Sequence, residues 1–123
     1  MAKITGFGGI FLKCRNLEIT RTWYARHLGL EIHPWGAMLD WKQETHDAPY
    51  SMFSFFPADT DYLKPSTSPF MINFRVDDLD TFVARLRAEE VELCGEPIAG
   101  EYGKFAWVMD PEGNKVELWE QPR

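Results

Sequence analysis

Glu117 is the side chain best placed to do chemistry in this sequence, because of what surrounds it. In Lys115-Val116-Glu117-Leu118-Trp119 the two-residue pleat of a strand sets Lys115, Glu117 and Trp119 on one face and Val116 and Leu118 on the other. A carboxylate between apolar neighbours, with an aromatic beside it, has two readings. It lies on the solvated face of a two-sided strand, or it looks into a ligand cavity. The other reactive side chains offer less. His27 falls at the end of a helical pattern and reads as a cation near the helix C-terminal dipole. His33 and His46 are of ligand type, but His46 lies between Thr45 and Asp47 in a polar loop and is expected to be solvated. Cys14 and Cys94 are far apart and lack Cys-x-x-Cys spacing, which fits buried reduced thiols better than a bridge.

The elements that must position these groups follow from periodicity. Two runs of strand formers flank Asp110-Pro111-Glu112-Gly113-Asn114, in which Asp opens the turn, Pro111 presets φ and Gly113 tolerates positive φ, so a β-hairpin is expected. Residues 4–13 read as a strand interrupted by Gly6, Gly8 and Gly9. Asn16 offers an N-cap to a helix over residues 17–28, which stops at Gly29. Residues 31–33, 37–42 and 50–56 show no helical period and read as three strands joined by hairpins. Residues 58–69, with Pro65 and Pro69 and little apolar content, read as a linker. Residues 70–76 form a further strand, and Asp77-Asp78 caps a second helix in which Leu79, Phe82, Val83 and Leu86 recur at helical spacing. Strands at 91–94, 103–109 and 115–120 complete the chain.

Composition narrows the function. At 123 residues the chain is a single domain, long enough to bury a core without metal or disulfide. Apolar residues make up 45% and aromatics 15%, enough for some aromatics to line a cavity as well as fill a core. A net charge of −6 and a pI near 5.0, with no basic run, exclude nucleic acid and anionic membrane surfaces as natural partners. No stretch approaches the roughly twenty apolar residues that span a bilayer, and the amino end has no long apolar run, so a cytoplasmic location is expected.

The two halves repeat one another. Leu12-Lys13-Cys14-Arg15-Asn16-Leu17-Glu18 aligns with Phe74-Arg75-Val76-Asp77-Asp78-Leu79-Asp80 sixty-two positions later, and each half reads strand, helix, three strands. With Trp23-Tyr24, His27-Leu28-Gly29-Leu30 and residues 110–119, the chain resembles the vicinal oxygen chelate superfamily, the glyoxalase, bleomycin-resistance and extradiol dioxygenase family, over nearly its whole length. The resemblance implies an α+β fold of two βαβββ modules forming a curved, half-barrel-like mixed sheet around a concave pocket. Module one would occupy about residues 1–57 and module two about 70–123, within one glyoxalase-like domain. Module pairing within one chain and swapping between two both occur in that family, and a homodimer is the expected assembly.

Metal-dependent members of the family take a ligand from the first strand of each module and from a late strand of each. Carried over by position, these fall on Gly9, on Met71, within residues 50–56 and on Glu117. Glycine has no side chain, a thioether is a soft ligand, and residues 50–56 hold no His, Asp, Glu or Cys. The resemblance therefore implies a member without the usual metal site. A site rebuilt from His33, His46 or Glu44, holding Zn, Mn or Fe, is the alternative. With Glu117 facing inward, Gly9, Phe11, Met71, Asn73 and Trp119 face inward too, an apolar pocket with one amide and one acid.

The expected function is binding of a small, partly apolar or aromatic molecule. Glu117 and Asn73 would orient it, and Phe11, Met71, Trp119 and the Trp35 and Trp41 region would supply contact area. Tyr102 and Lys104, on either side of Gly103, would form a rim, although a plain polar hairpin turn fits them equally. The alternative is a lyase, isomerase or dioxygenase with displaced metal ligands or with Glu117 as general base. A third class is an interaction module whose concavity is closed.

Overall fold

The computed structural model describes residues 1–123. Helix α1 (Leu17–Leu28) begins where the Asn16 side-chain oxygen accepts the Ile19 N–H at 3.0 Å, and ends where Gly29 takes a left-handed φ of 71° that a side chain would oppose. Helix α2 (Leu79–Ala88) begins the same way, with Asp78 accepting the Thr81 N–H at 3.1 Å. The two caps fall on the aligned positions of the repeat.

Four strands form one mixed sheet: β1 (Ile72–Arg75), β2 (Ile98–Gly100), β3 (Gly103–Met109) and β4 (Lys115–Glu120), in the order β1-β4-β3-β2. β1 runs parallel to β4, while β3 is antiparallel to both β4 and β2. The sheet is open and does not close into a barrel. Register sorts its side chains into rows. Ile72, Val116 and Val108 align, as do Phe74, Leu118 and Ala106, and both rows meet Leu79, Val83 and Leu86 of α2 and Tyr24 and Leu28 of α1. That is the core, and burial of its aliphatic side chains at about 25 cal/mol per Å2 is what holds the helices to the sheet.

The α+β class and both helices agree with the reading of the sequence, but the ladders of the first module do not form. Residues 4–13, 37–42 and 50–56 carry no strand pairing, and residues 31–33 contribute a single bridge from His33 to Gly36. Trp41–Gln43 instead makes one 3₁₀ turn capped by Asp40. Alternation records a capacity to pair; the ladder itself needs a neighbouring strand's N–H and C=O groups, and this chain brings none alongside. The strand expected at 91–94 is likewise reduced to one bridge, Leu93 to Val108, and the outer position is taken by β2.

The β3–β4 hairpin ties the modules together. Asp110 is buried, caps its own turn by accepting the Glu112 and Asn114 N–H groups, and accepts the Tyr24 hydroxyl at 2.7 Å. Burial, then the Asp110 carboxylate, raises the Tyr24 phenol and keeps it a donor. Glu112 reaches the start of α1, accepting the Asn16 N–H at 2.8 Å, the Thr20 hydroxyl at 3.1 Å and the Arg15 Nε at 3.2 Å. Those bonds, led by the Asn16 N–H, lower its pKa from 4.5 to about 2. A carboxyl whose folded pKa is depressed contributes stability above its unfolded value and loses it as pH falls through the folded one. Stability is thus expected to fall between pH 4.5 and about 2, and Glu112→Gln to flatten that slope while lowering stability at neutral pH. Urea unfolding across that range checks it; equal slopes in the two proteins would contradict the clamp.

Candidate functional site

The face of the sheet opposite the helices carries the other rows. Asn73 of β1, Glu117 of β4 and Trp107 of β3 are register partners across three adjacent strands, and Arg75, Trp119 and Phe105 form the next row. The Glu117 carboxylate collects this face. Asn73 Nδ2 donates to its Oε1 at 2.7 Å, the Trp107 indole Nε1 donates to its Oε2 at 2.7 Å, and the Tyr62 hydroxyl donates to the same Oε2. Glu117 is only 7% exposed, yet each oxygen is satisfied. Burial without such donors would cost a carboxylate several kcal/mol, so the acid and its three donors must be placed together.

Tyr62 is the partner that sequence reasoning missed. It lies in the segment read only as a linker, and its ring packs edge-on to Trp107 at 6.2 Å and beside Phe56 at 5.3 Å. Burial, then the Glu117 carboxylate, raises its phenol, which keeps the proton that bonds to Glu117. Lys115 Nζ donates to the Tyr62 carbonyl at 2.7 Å and stands 5.4 Å and 5.6 Å from the centroids of the Tyr62 and Trp107 rings. The lysine therefore holds the segment down and does not bond to the acid. An aromatic among Pro, Asp, Thr and Ser was the available signal.

The remaining aromatics line up along β3 and β4. Phe105 stacks near-parallel between Trp107 and Trp119, 6.4 Å from each. Trp119 also meets the Tyr50 ring at 5.5 Å and donates its indole N–H to the Tyr102 carbonyl at 2.9 Å. Gly103 makes that approach possible: a Cβ there would lie 2.3 Å from the Glu120 carbonyl oxygen and 2.8 Å from the Trp119 indole nitrogen.

The expected site residues are distributed unevenly. Asn73, Glu117 and Trp119 share the helix-free face, and Met71, half-buried just before β1, has the parity of Asn73. Phe11 is 94% exposed. Trp35 stacks on His33 at 5.1 Å, and Trp41, 81% exposed, opens the 3₁₀ turn; neither joins the Glu117 group. Tyr102 contributes its carbonyl, with an exposed ring. Lys104 departs from its expected place on the rim. It alternates with Phe105, so it turns to the helix side and pairs with Asp80 at 2.9 Å.

The histidines and cysteines lie outside this group. His46 is half-buried, not solvated: Nδ1 accepts the Ala48 N–H at 3.0 Å, so Nε2 carries the proton and donates to the Pro122 carbonyl at 2.9 Å. His27 Nδ1 lies 3.0 Å from Glu89 at the end of α2. Cys14 and Cys94 are free and half-buried, and burial pushes the Cys94 thiol up. Glu44 bonds to Arg75 at 2.7 Å; burial, which raises its pKa, is outweighed by the His46 N–H and the guanidinium, which lower it.

The donor set does not fit the family's metal. No three His, Cys, Asp or Glu side chains lie close enough together to hold an ion. Both Glu117 oxygens already face N–H or O–H donors, and neither Gly9 nor Met71 supplies a hard ligand. A depression of about 520 Å3 lies elsewhere, past α2 between Arg87 and Glu96.

Comparison with known proteins agrees with this fold. The family model described as a Glyoxalase-like domain matches residues 9–119, so the chain belongs to that family. Among solved structures it is similar to a glyoxylase/bleomycin resistance protein/dioxygenase domain from Frankia sp. EAN1pec, at 16% identity and TM-score 0.61, covering 98% of this chain and 100% of that one. A lactoylglutathione lyase from Agrobacterium tumefaciens matches at 17% and 0.56, over 94% and 96% of the two chains. TnmS3, an antibiotic binding protein from Streptomyces sp. CB03234, matches at 22% and 0.52, over 85% and 86%. At these identities the likeness is one of fold. Among curated proteins no match is found.

Glu117→Ala leaves the buried Trp107 indole without an acceptor and should cost about 2 kcal/mol. Glu117→Gln keeps the acceptor for Trp107 and Tyr62, and Asn73 can turn its amide to accept from the new NH2 group, so it should cost less than half as much. Urea unfolding of the three proteins checks this. An alanine variant as stable as the parent, or a glutamine variant as weak as the alanine one, would contradict the network.

Proposed function

We propose that this chain binds a small, partly aromatic molecule on the helix-free face of the sheet, without the metal its family commonly uses. The observation that carries the reading is the Glu117 row, a buried carboxylate bonded only to neutral donors and bordered by the indole of Trp107. Such a group is a specific acceptor beside aromatic contact area, the usual makeup of a small-molecule site. Glu117 and Asn73 orient the ligand; Trp107, Phe105 and Trp119 supply flat surface. Tyr62 comes from a segment outside the sheet, and its phenol occupies the place that a ligand hydroxyl or amine would take. TnmS3, an antibiotic binding protein of similar fold, supports small-molecule binding as a use of this fold.

Titration with a panel of planar phenols and aromatic amines, read by tryptophan fluorescence, tests the reading. At least one compound should change the emission of the parent saturably, be unaffected by chelator, and bind at least tenfold more weakly to Glu117→Gln, about 1.4 kcal/mol. Binding abolished by chelator, or stoichiometric metal in protein purified without a histidine tag, would overturn it. So would a panel without a single binder.

A further inference from the structure

We infer that Tyr62 is a built-in stand-in for the ligand: the molecule this site takes is a para-substituted phenol carrying a carbonyl, and residues 57–66 are the strap that it displaces. The inference rests on the binding function proposed above and names the class of ligand.

The strap is moored to the sheet at one residue. Its backbone hydrogen bonds are internal: the Thr60 N–H donates to the Pro57 carbonyl, Lys64 to Asp61 and Ser66 to Leu63. The Tyr62 N–H bonds within it too, to the Thr60 hydroxyl at 3.2 Å, and Lys64 pairs with Asp61 at 2.9 Å. Both hydrogen bonds that join residues 57–66 to the sheet run through Tyr62, whose hydroxyl donates to Glu117 Oε2 and whose carbonyl accepts from Lys115 Nζ at 2.7 Å. Its ring, partly exposed, adds the edge-on contact with Trp107. A segment bonded to itself and moored in this way can lift as a unit without breaking any strand pairing.

Lifting the strap takes a donor from Glu117 Oε2 and the acceptor from the Lys115 ammonium. Unmade bonds to charged groups at a half-buried site are costly, so a ligand that replaces Tyr62 has to return both. The spacing it must match is tyrosine's own, a para oxygen and a carbonyl joined through the ring, Cβ and Cα. The ligand's ring inherits the Trp107 contact, at 6.2 Å and 85° between planes. Charge selects further. Lys115 Nζ stands 5.4 Å from the Tyr62 ring centroid and 5.6 Å from that of Trp107, so the cation that these faces favour is already in place. An ammonium at the carbonyl end of the ligand would meet a like charge. Because the closed strap fills the site, the parent's affinity is reduced by the fraction of molecules in which the strap is lifted.

Tryptophan fluorescence titration with N-acetyltyrosinamide, which copies Tyr62 from hydroxyl to carbonyl, tests the inference. The parent, which needs no variant to fold, should bind it at least tenfold more tightly than N-acetylphenylalaninamide, which lacks the hydroxyl, and tyramine, which lacks the carbonyl and carries an ammonium. Tyr62→Gly empties the place and should bind N-acetyltyrosinamide at least tenfold more tightly than the parent, with the parent's helical circular dichroism. Tyr62→Phe, which gives up only the bond to Glu117, should fall between the two. Equal binding of the three compounds, or binding that Tyr62→Gly leaves unchanged or weakens, would overturn the inference while the binding site stands. The same holds if none of the three binds while other phenols or aromatic amines do. If no compound of either set binds the parent or Tyr62→Gly, the binding function falls with it.

Discussion

One buried carboxylate organises the helix-free face of this protein. Glu117 stands at the middle of three strands, and the donors that satisfy it come from β1, from β3 and from the segment between the modules. Because an unpaired acid at that depth is costly, the Asn73, Trp107 and Tyr62 positions are coupled: each donor is held by the acid that needs it. The aromatic rows along β3 and β4 then follow from register. The opposite face has no such demand and is filled by Val108, Val116, Leu118 and the two helices.

The same hairpin serves both modules. Its strands carry Trp107 and Glu117, while its turn places Asp110 against Tyr24 and Glu112 against the start of α1. A change in the turn is therefore felt at the helix, although no strand of the first module pairs with β3 or β4. This explains how the first module stays in place with so little hydrogen-bonded sheet of its own.

Features that depend on neighbours in sequence were legible from the sequence. Asn16 and Asp78 cap helices at the aligned positions of the repeat, Gly29 ends α1, and Asp110 to Asn114 make the turn. The pleat also put Glu117 and Trp119 together, opposite Val116 and Leu118. What could not be read was anything that needs a distant partner. Residues 4–13 and 50–56 have strand composition but find no neighbour within this chain, Tyr62 lies in a segment with no periodicity, and a single step of register turns Lys104 to α2 instead of the rim. The metal positions illustrate the same limit from the other side: the resemblance carries them onto Gly9 and Met71 in sequence, whereas the donors gathered around Glu117 appear only in three dimensions.

The central claim, that Glu117 gathers this face, is tested most directly by following the five tryptophan indole protons in a 15N-resolved hydrogen-exchange experiment. The indole of Trp107, bonded to Glu117, should exchange far more slowly than those of Trp35 and Trp41, and that protection should vanish in Glu117→Ala while Trp119, bonded to Tyr102, keeps its own. A Trp107 indole that exchanges as fast as the exposed ones in the parent protein, or that stays protected when the carboxylate is removed, would contradict it.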